Sequence, residues 1–362
     1  AEITIASTGT VTFAKQPSFP DANPRQSNNY IYNGDTSVCQ RAGSVANIGN
    51  GDSGYHVQDR WYVQEQGTTG GEITMSRATE VPNGFQYSMK FQCTTTESLA
   101  ADEAWLFQQR LEGQDLYAWK KGTADALPVT LSFWVNATKT GTNIVRLYDN
   151  NNTRHIAKSY TVNSSNTWEY KTITFAGDTT GIFNRDNATS LQILFYLAAG
   201  TNFNPDGGTL ATSWAANNAA NAAVGQVNNL DSTSNLFHIT GIQLELGETA
   251  SAFQNETYGE NLARCQRYFN KILVGTGGYL YSYLLSANSS GGTYLRNVIS
   301  YPVTMRSATQ TNTQTGAGSS GTLVGVALEH KTVTYVSWQL NVTGAGHYSY
   351  FSNGTLTNDS EL

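Results

Sequence analysis

Formal charge is scarce in this chain. Only 13% of its 362 residues are Asp, Glu, Lys or Arg, about half the ~25% of an average globular protein, and 21 basic against 27 acidic side chains leave a net charge of −6. The clustered Lys and Arg that phosphate contacts require are missing, so nucleic acid is not an expected partner. No stretch approaches the ~20 consecutive apolar residues of a membrane span, and the N-terminal region has neither the basic start nor the apolar run of a signal peptide. The expectation is a soluble chain made in a cytoplasm, without membrane insertion. Cysteine is limited to Cys39, Cys93 and Cys265, an odd number with no C-x-x-C pair, which predicts buried free thiols rather than a zinc site or a disulfide framework. The five histidines, His56, His155, His238, His330 and His347, lack the H-x-H or H-E-x-x-H spacing that aims two imidazoles at one metal. Neither a metal nor a cofactor is expected.

What the chain has in place of charge is Thr, Ser, Asn, Gln and Gly, together with 20 Tyr, 14 Phe and 7 Trp. That mixture is too apolar and aromatic for disorder and suits strands joined by turns. At this length the chain exceeds the ~250–300 residues over which one core grows, which predicts two domains or one with appendages. Residues 1–35, with Pro17, Pro20 and Pro24, read as an N-terminal arm or anchor holding one strand-like piece, Val11-Thr12-Phe13. Residues 36–256 read as a β-sandwich. From Phe85 to Cys93 every apolar residue falls at period two; Val129, Leu131, Phe133 and Val135 line one face of a second strand, and Leu191, Ile193, Phe195 and Leu197 one of a third. Between Phe237 and Leu246 the apolar phase shifts by one residue at Gly241, which predicts a β-bulge there. Residues 211–224, rich in Ala and Asn, read as an inserted loop with one helical turn. At 257–272 a capping box, Thr257 with Glu260, precedes Leu262, Cys265, Phe269 and Ile272 at helical spacing, predicting a connecting helix of about four turns. Residues 273–362 return to strands and read as a small C-terminal β-domain.

Motifs that carry chemistry are weak. Gly51-Asp52-Ser53-Gly54 has the look of a serine-protease nucleophile turn, but the nearest His, His56, lies downstream and nothing upstream supplies a base, so a turn-rich loop is the better reading. Asp149-Asn150-Asn151-Asn152 offers oxygen ligands for Ca²⁺ without the D-x-D-x-D-G pattern, so a turn is again preferred. Glycosidase chemistry needs two carboxyl groups facing each other; Glu103, Glu112, Asp115 and Glu169 are candidates, but their separation is spatial and sequence does not give it. Alternating Tyr279, Tyr281 and Tyr283, with Tyr348 and Tyr350, form the candidate ligand-binding residues, an aromatic platform on which sugar rings could stack. Covering a core or a subunit interface is the competing role of such a row. No catalytic residues are assigned.

Four stretches resemble a group of bacteriophage virion proteins described variously as tail-fibre, appendage or minor structural proteins. They are Asn29–Gly43 with Asp59-Arg60-Trp61; Leu106–Glu112 with Val129–Trp134; Phe237–Gly247; and Tyr258–Phe269, in the order of that group. Tyr301–Arg306 and the ending Asn358–Leu362 are similar to its C-terminal portion. The resemblance implies an all-β fold, a jelly-roll sandwich similar to carbohydrate-binding modules followed by a short helix and a second small β-domain. Where the group has a sequence close to Ala-Thr-Pro-Phe-Glu before the helix, this chain has Ala250-Ser251-Ala252-Phe253-Gln254, which puts that turn's geometry in doubt. The implied function is a non-enzymatic virion protein, a tail fibre or appendage, located on the virion after assembly in the host cytoplasm. Its expected partners are other virion proteins, copies of itself in a homo-oligomer taken as a trimer by analogy with phage appendages, and host-surface glycans. A capsid decoration protein (head fibre or cement) and a polysaccharide-degrading enzyme remain the alternatives.

Overall fold

Alternating apolar positions along successive segments pair them into two six-stranded antiparallel sheets, because each strand must bury one face and hydrogen-bond both edges. The structure, a computed structural model, describes residues 3–5, 11–13, 29–67, 70–283, 293–314, 317–319, 322–343 and 348–362. A short hairpin, β1 (Ile3–Ile5) with β2 (Val11–Phe13), comes first. The sandwich strands are β3 (Ser44–Gly49), β4 (Tyr62–Gln66), β5 (Glu72–Ala78), β6 (Ser88–Thr95), β7 (Ala104–Glu112) and β8 (Val129–Ala137). They continue with β9 (Gly141–Asp149), β10 (Arg154–Val162), β11 (Glu169–Phe175), β12 (Thr189–Ala199), β13 (Ala215–Ala216) and β14 (Leu236–Leu246).

One sheet has the order β13-β10-β9-β12-β7-β4 and the other β11-β8-β14-β6-β5-β3. From β6 onward the chain crosses repeatedly between them, the connectivity of a jelly roll. The sheets close on an aromatic core in which Phe107 stacks on Phe195 at 4.9 Å and on Phe91 at 4.7 Å, with Phe133 edge-on to Phe195 at 5.4 Å. The bulge read at Gly241 is present: the β14–β8 register jumps between Thr240 and Gln243. Gly241 has φ +62° and a Cβ there would lie 2.5 Å from the Phe85 ring, so both conformation and space demand glycine.

Residues 29–35 are woven into this sandwich. The Tyr30 amide donates to the Leu244 carbonyl at 2.9 Å, while the Asn29 side chain donates to Ile242 O at 3.1 Å and accepts from Leu244 N at 3.0 Å. Ile31 and Asn33 are buried. On the outer face of the first sheet the segment 200–224, which contains a single 3₁₀ turn at Ala219–Asn221, lays Phe203 and Ala223 over Leu106, Leu194 and Tyr196.

Helix α1 (Tyr258–Gln266) starts with the expected capping box but is shorter than the predicted 257–272. Its last apolar positions, Phe269 and Ile272, are taken by β15 (Phe269–Tyr283), whose backbone pairs with Asp359 and Leu356 far along the chain. The remaining strands are β16 (Thr293–Ser300), β17 (Thr311–Gln314), β18 (Ala317–Ser319), β19 (Thr322–Lys331), β20 (Tyr335–Thr343) and β21 (Tyr348–Asp359). They form the sheets β15-β21-β17, with β18 on β21, and β16-β20-β19. The last residues return to the sandwich: Ser360 N donates to Tyr268 O at 2.8 Å, Arg41 reaches Asp359 at 3.0 Å, and the buried Arg60 pairs with Glu361. The three cysteines are free thiols, Cys93 and Cys265 buried and Cys39 partly so.

Candidate functional site

At the end of the sandwich where β7 and β14 stop and β8 begins, a half-open cleft of about 1120 Å³ lies beside α1. Its parts come from separate segments. After β7 the chain turns through two 3₁₀ turns, Gly113–Asp115 and Tyr117–Trp119, and leaves through Lys120 in the left-handed conformation (φ 52°). This presents Gln114, Asp115 and Tyr117 to the cleft. Leu111, Leu127, Pro128 and Leu246 supply the apolar part of the lining, and Tyr30, Tyr32 and Arg264 line it as well.

The tyrosines are held by edge contacts: Tyr30 meets Trp119 at 5.6 Å and 80°, and Tyr32 meets Tyr268 at 5.5 Å and 76°. Burial pushes both phenols up to about 12, so they act as neutral hydroxyls at physiological pH. The Tyr32 hydroxyl donates to Asp115 Oδ2 at 2.8 Å. Burial also raises the Asp115 carboxyl above its ordinary value. Tyr117 stays 56% exposed. Arg264, on α1, lies 4.3 Å over the Tyr32 ring, pairs with Glu256, and donates from Nη2 to the carbonyls of Asn29 and Ile31 at 3.3 Å each. Behind the cleft the fully buried Glu112 accepts from Arg267 Nε at 3.0 Å and Nη2 at 2.8 Å, from Tyr268 Oη at 2.5 Å and from Gln114 Nε2 at 2.5 Å. The cleft turn is thus bolted to the end of α1.

The carboxylates singled out in the sequence are mostly parted. Glu112 and Asp115 fall together here, whereas Glu103 caps its own turn by accepting from Ala100 N at 2.7 Å. Glu169 pins the 163–164 turn by accepting from both amides at 2.8 Å. Ser53 is structural: Glu65 N donates to its Oγ at 2.9 Å, and His56 Nε2 meets the Asp52 carbonyl at 2.9 Å. The 149–152 run is a turn around Asp149 Oδ1, which accepts from Asn151 N at 2.9 Å and Asn152 N at 3.1 Å. Beside it the buried Lys121 ammonium sits among oxygens, 2.6 Å from Asp149, 3.1 Å from Asp178, and 2.9 and 2.8 Å from the carbonyls of Thr180 and Gly181.

The Tyr279, Tyr281 and Tyr283 row lies on β15 opposite Ser352, Tyr350 and Tyr348 of β21; its side chains lie outside the described residues. Sequence reasoning missed Tyr30, Tyr32 and Tyr117 as site residues. The alternation Tyr30-Ile31-Tyr32, which puts one apolar residue inward between two rings outward, was the available signal. All four stretches that carry the phage resemblance contribute to this cleft, through Asn29, Tyr30 and Tyr32, Leu111, Leu246 with Gly247, and Arg264.

No family model matches the chain, and no curated protein matches it. Among solved structures, the enzymatically active domain of tailspike protein 4 of bacteriophage CBA120 aligns at 16% identity and a TM-score of 0.30, over 60% of this chain and 21% of that one. The family 11 carbohydrate-binding module of a cellulosomal cellulase of Clostridium thermocellum aligns at 14% identity and a TM-score of 0.28, over 58% of this chain and 99% of that one. The xylan-binding domain CBM22-1 from Paenibacillus barcinonensis aligns at 12% identity and a TM-score of 0.26, over 58% of this chain and 99% of that one. At such scores the chemistry must be read from the cleft.

Proposed function

We propose that the chain is a non-enzymatic glycan-binding protein of a phage particle, with the cleft beside α1 as its binding site. The observation that carries this reading is the cleft's composition. An exposed Tyr117 ring and apolar lining residues suit the C–H faces of sugars, and Asp115, Gln114 and Gln254 line the same space for hydroxyls. Hydrolysis would need an acid and a carboxylate facing across the bond. Here Glu112 is occupied by Arg267 and Tyr268, and Glu256 by Arg264, which supports binding without turnover.

The placement on a virion, as a tail fibre or appendage contacting host-surface glycans and other virion proteins, rests on the ordered resemblance of the four stretches. Trimeric assembly is proposed by analogy, and light scattering that shows a monodisperse monomer across micromolar concentrations would count against it. The Tyr279, Tyr281 and Tyr283 row is proposed as an accessory contact from its alternation and cross-strand register.

The test is binding of the purified protein to candidate host cells and their extracted surface polysaccharide, with polymer length followed over time. Saturable binding without shortening is expected. Tyr117→Ala should weaken it at least tenfold, about 1.4 kcal/mol, while the chain still unfolds cooperatively. Shortening of the polymer would turn the reading to a polysaccharide-degrading enzyme. Absence of binding would turn it to a capsid decoration protein.

A further inference from the structure

We infer that the cleft is built for a run of uncharged sugar rings and selects against acidic polysaccharide. This rests on the glycan-binding reading and adds the class of ligand. Size comes first: about 1120 Å³ lies just above the ~300–1,000 Å³ typical of ligand pockets, so the space suits several linked rings rather than a monosaccharide.

Charge decides the rest. The charged side chains lining the cleft are Asp115, Glu256, Lys120 and Arg264, two of each sign. Recognition of a sugar carboxylate favours a guanidinium fork presenting two parallel donors. Arg264 has spent its fork, with Nη1 on Glu256, Nη2 on the carbonyls of Asn29 and Ile31, and its face on the Tyr32 ring. Lys120 is exposed, where a single ion pair is worth ~0–1 kcal/mol.

Asp115, by contrast, accepts from Tyr32 through Oδ2 alone among the described residues, so Oδ1 is left for a ligand hydroxyl. A hydroxyl donating to that oxygen makes a charge-assisted bond. A ligand carboxylate brought to the same place would meet Asp115 with no unspent guanidinium beside it, Glu112 and Glu256 being already paired with Arg267 and Arg264, and would be repelled.

The experiment is calorimetric titration of the full chain with matched ligands that differ only in charge: tetragalacturonate, its fully methyl-esterified form, and neutral galacto-, gluco- and N-acetylglucosamine tetrasaccharides. At least one neutral or esterified ligand should bind at least tenfold more tightly than tetragalacturonate. Asp115→Asn should narrow that preference by weakening neutral binding and relieving the repulsion of the acid. Equal or tighter binding of the acidic ligand, or an unchanged preference in Asp115→Asn with a wild-type melting temperature, would overturn the inference while leaving glycan binding standing. If no ligand of either kind binds, and the extracted host polysaccharide does not bind either, the glycan-binding reading falls and this one with it.

Discussion

The cleft beside α1 and the outer face of the sheet β13-β10-β9-β12-β7-β4 carry the same kinds of side chain: tyrosines, amides and an arginine stacked on a ring. On the outer face Arg146 lies 4.9 Å from the Tyr148 ring and Tyr196 is only 2% exposed. Yet one region is open and the other roofed. The segment 200–224 supplies the roof, setting Phe203 and Ala223 on Leu194 and Tyr196 and taking an Arg146 hydrogen bond on Asn217. Over the cleft nothing among the described residues does the same, and Tyr117 stays largely exposed. Aromatic content therefore does not mark a binding face. What distinguishes the two is whether the chain brings its own apolar cover, and whether polar atoms are left over for a ligand.

The sharpest way to break this comparison is to remove the roof's anchor. Phe203→Ala should cost about 3 kcal/mol or more in denaturant unfolding and leave glycan binding at the cleft unchanged. A variant that kept full stability would mean the roof is not packed core.

Acid should find the roofed side next. His155 is buried beneath it, paired in register with Ala215, and burial together with the nearby Arg146 lowers its pKa to about 4 from the usual 6.5. Between those values the unfolded state binds the proton and the folded state does not, so this stability is present above pH 6.5 and lost as pH falls toward 4. The loss should reach up to about 3 kcal/mol, read as a falling melting temperature, and His155→Asn should flatten that slope. His238, also buried and also lowered to about 4, adds a second contribution that His155→Asn leaves in place.

The smallest effect lies on the cleft side. Thr257→Ala removes the α1 cap and should cost about 1 kcal/mol. Because Arg264 rides on that helix, glycan affinity should fall modestly while the pH slope of the roofed face stays as it was.

The two regions also differ in how far the sequence foretold them. The strands were readable because burying one face imposes period two, and the bulge at Gly241 because a one-residue phase slip has few other remedies. The capping box was readable because it is local. The end of α1 was not: Phe269 leaves the helical stripe to pair with Asp359, a choice made by a strand 90 residues away, as the two numbers show (359 − 269 = 90). The cleft was illegible for the same reason. Asn29 reaches Gln254 across 225 positions and Arg264 reaches Asn29 across 235, and no periodicity connects them. Asp115 stood among the carboxylates noted in the sequence, but only folding could part it from Glu103 and Glu169.

Lys121 has a further consequence. A free divalent ion among Asp149, Asp178 and two backbone carbonyls would leave whenever its concentration in the medium fell below its dissociation constant. An ammonium tethered to the chain cannot be chelated, diluted away or exchanged. The upkeep of the loops it gathers depends on folding and not on supply.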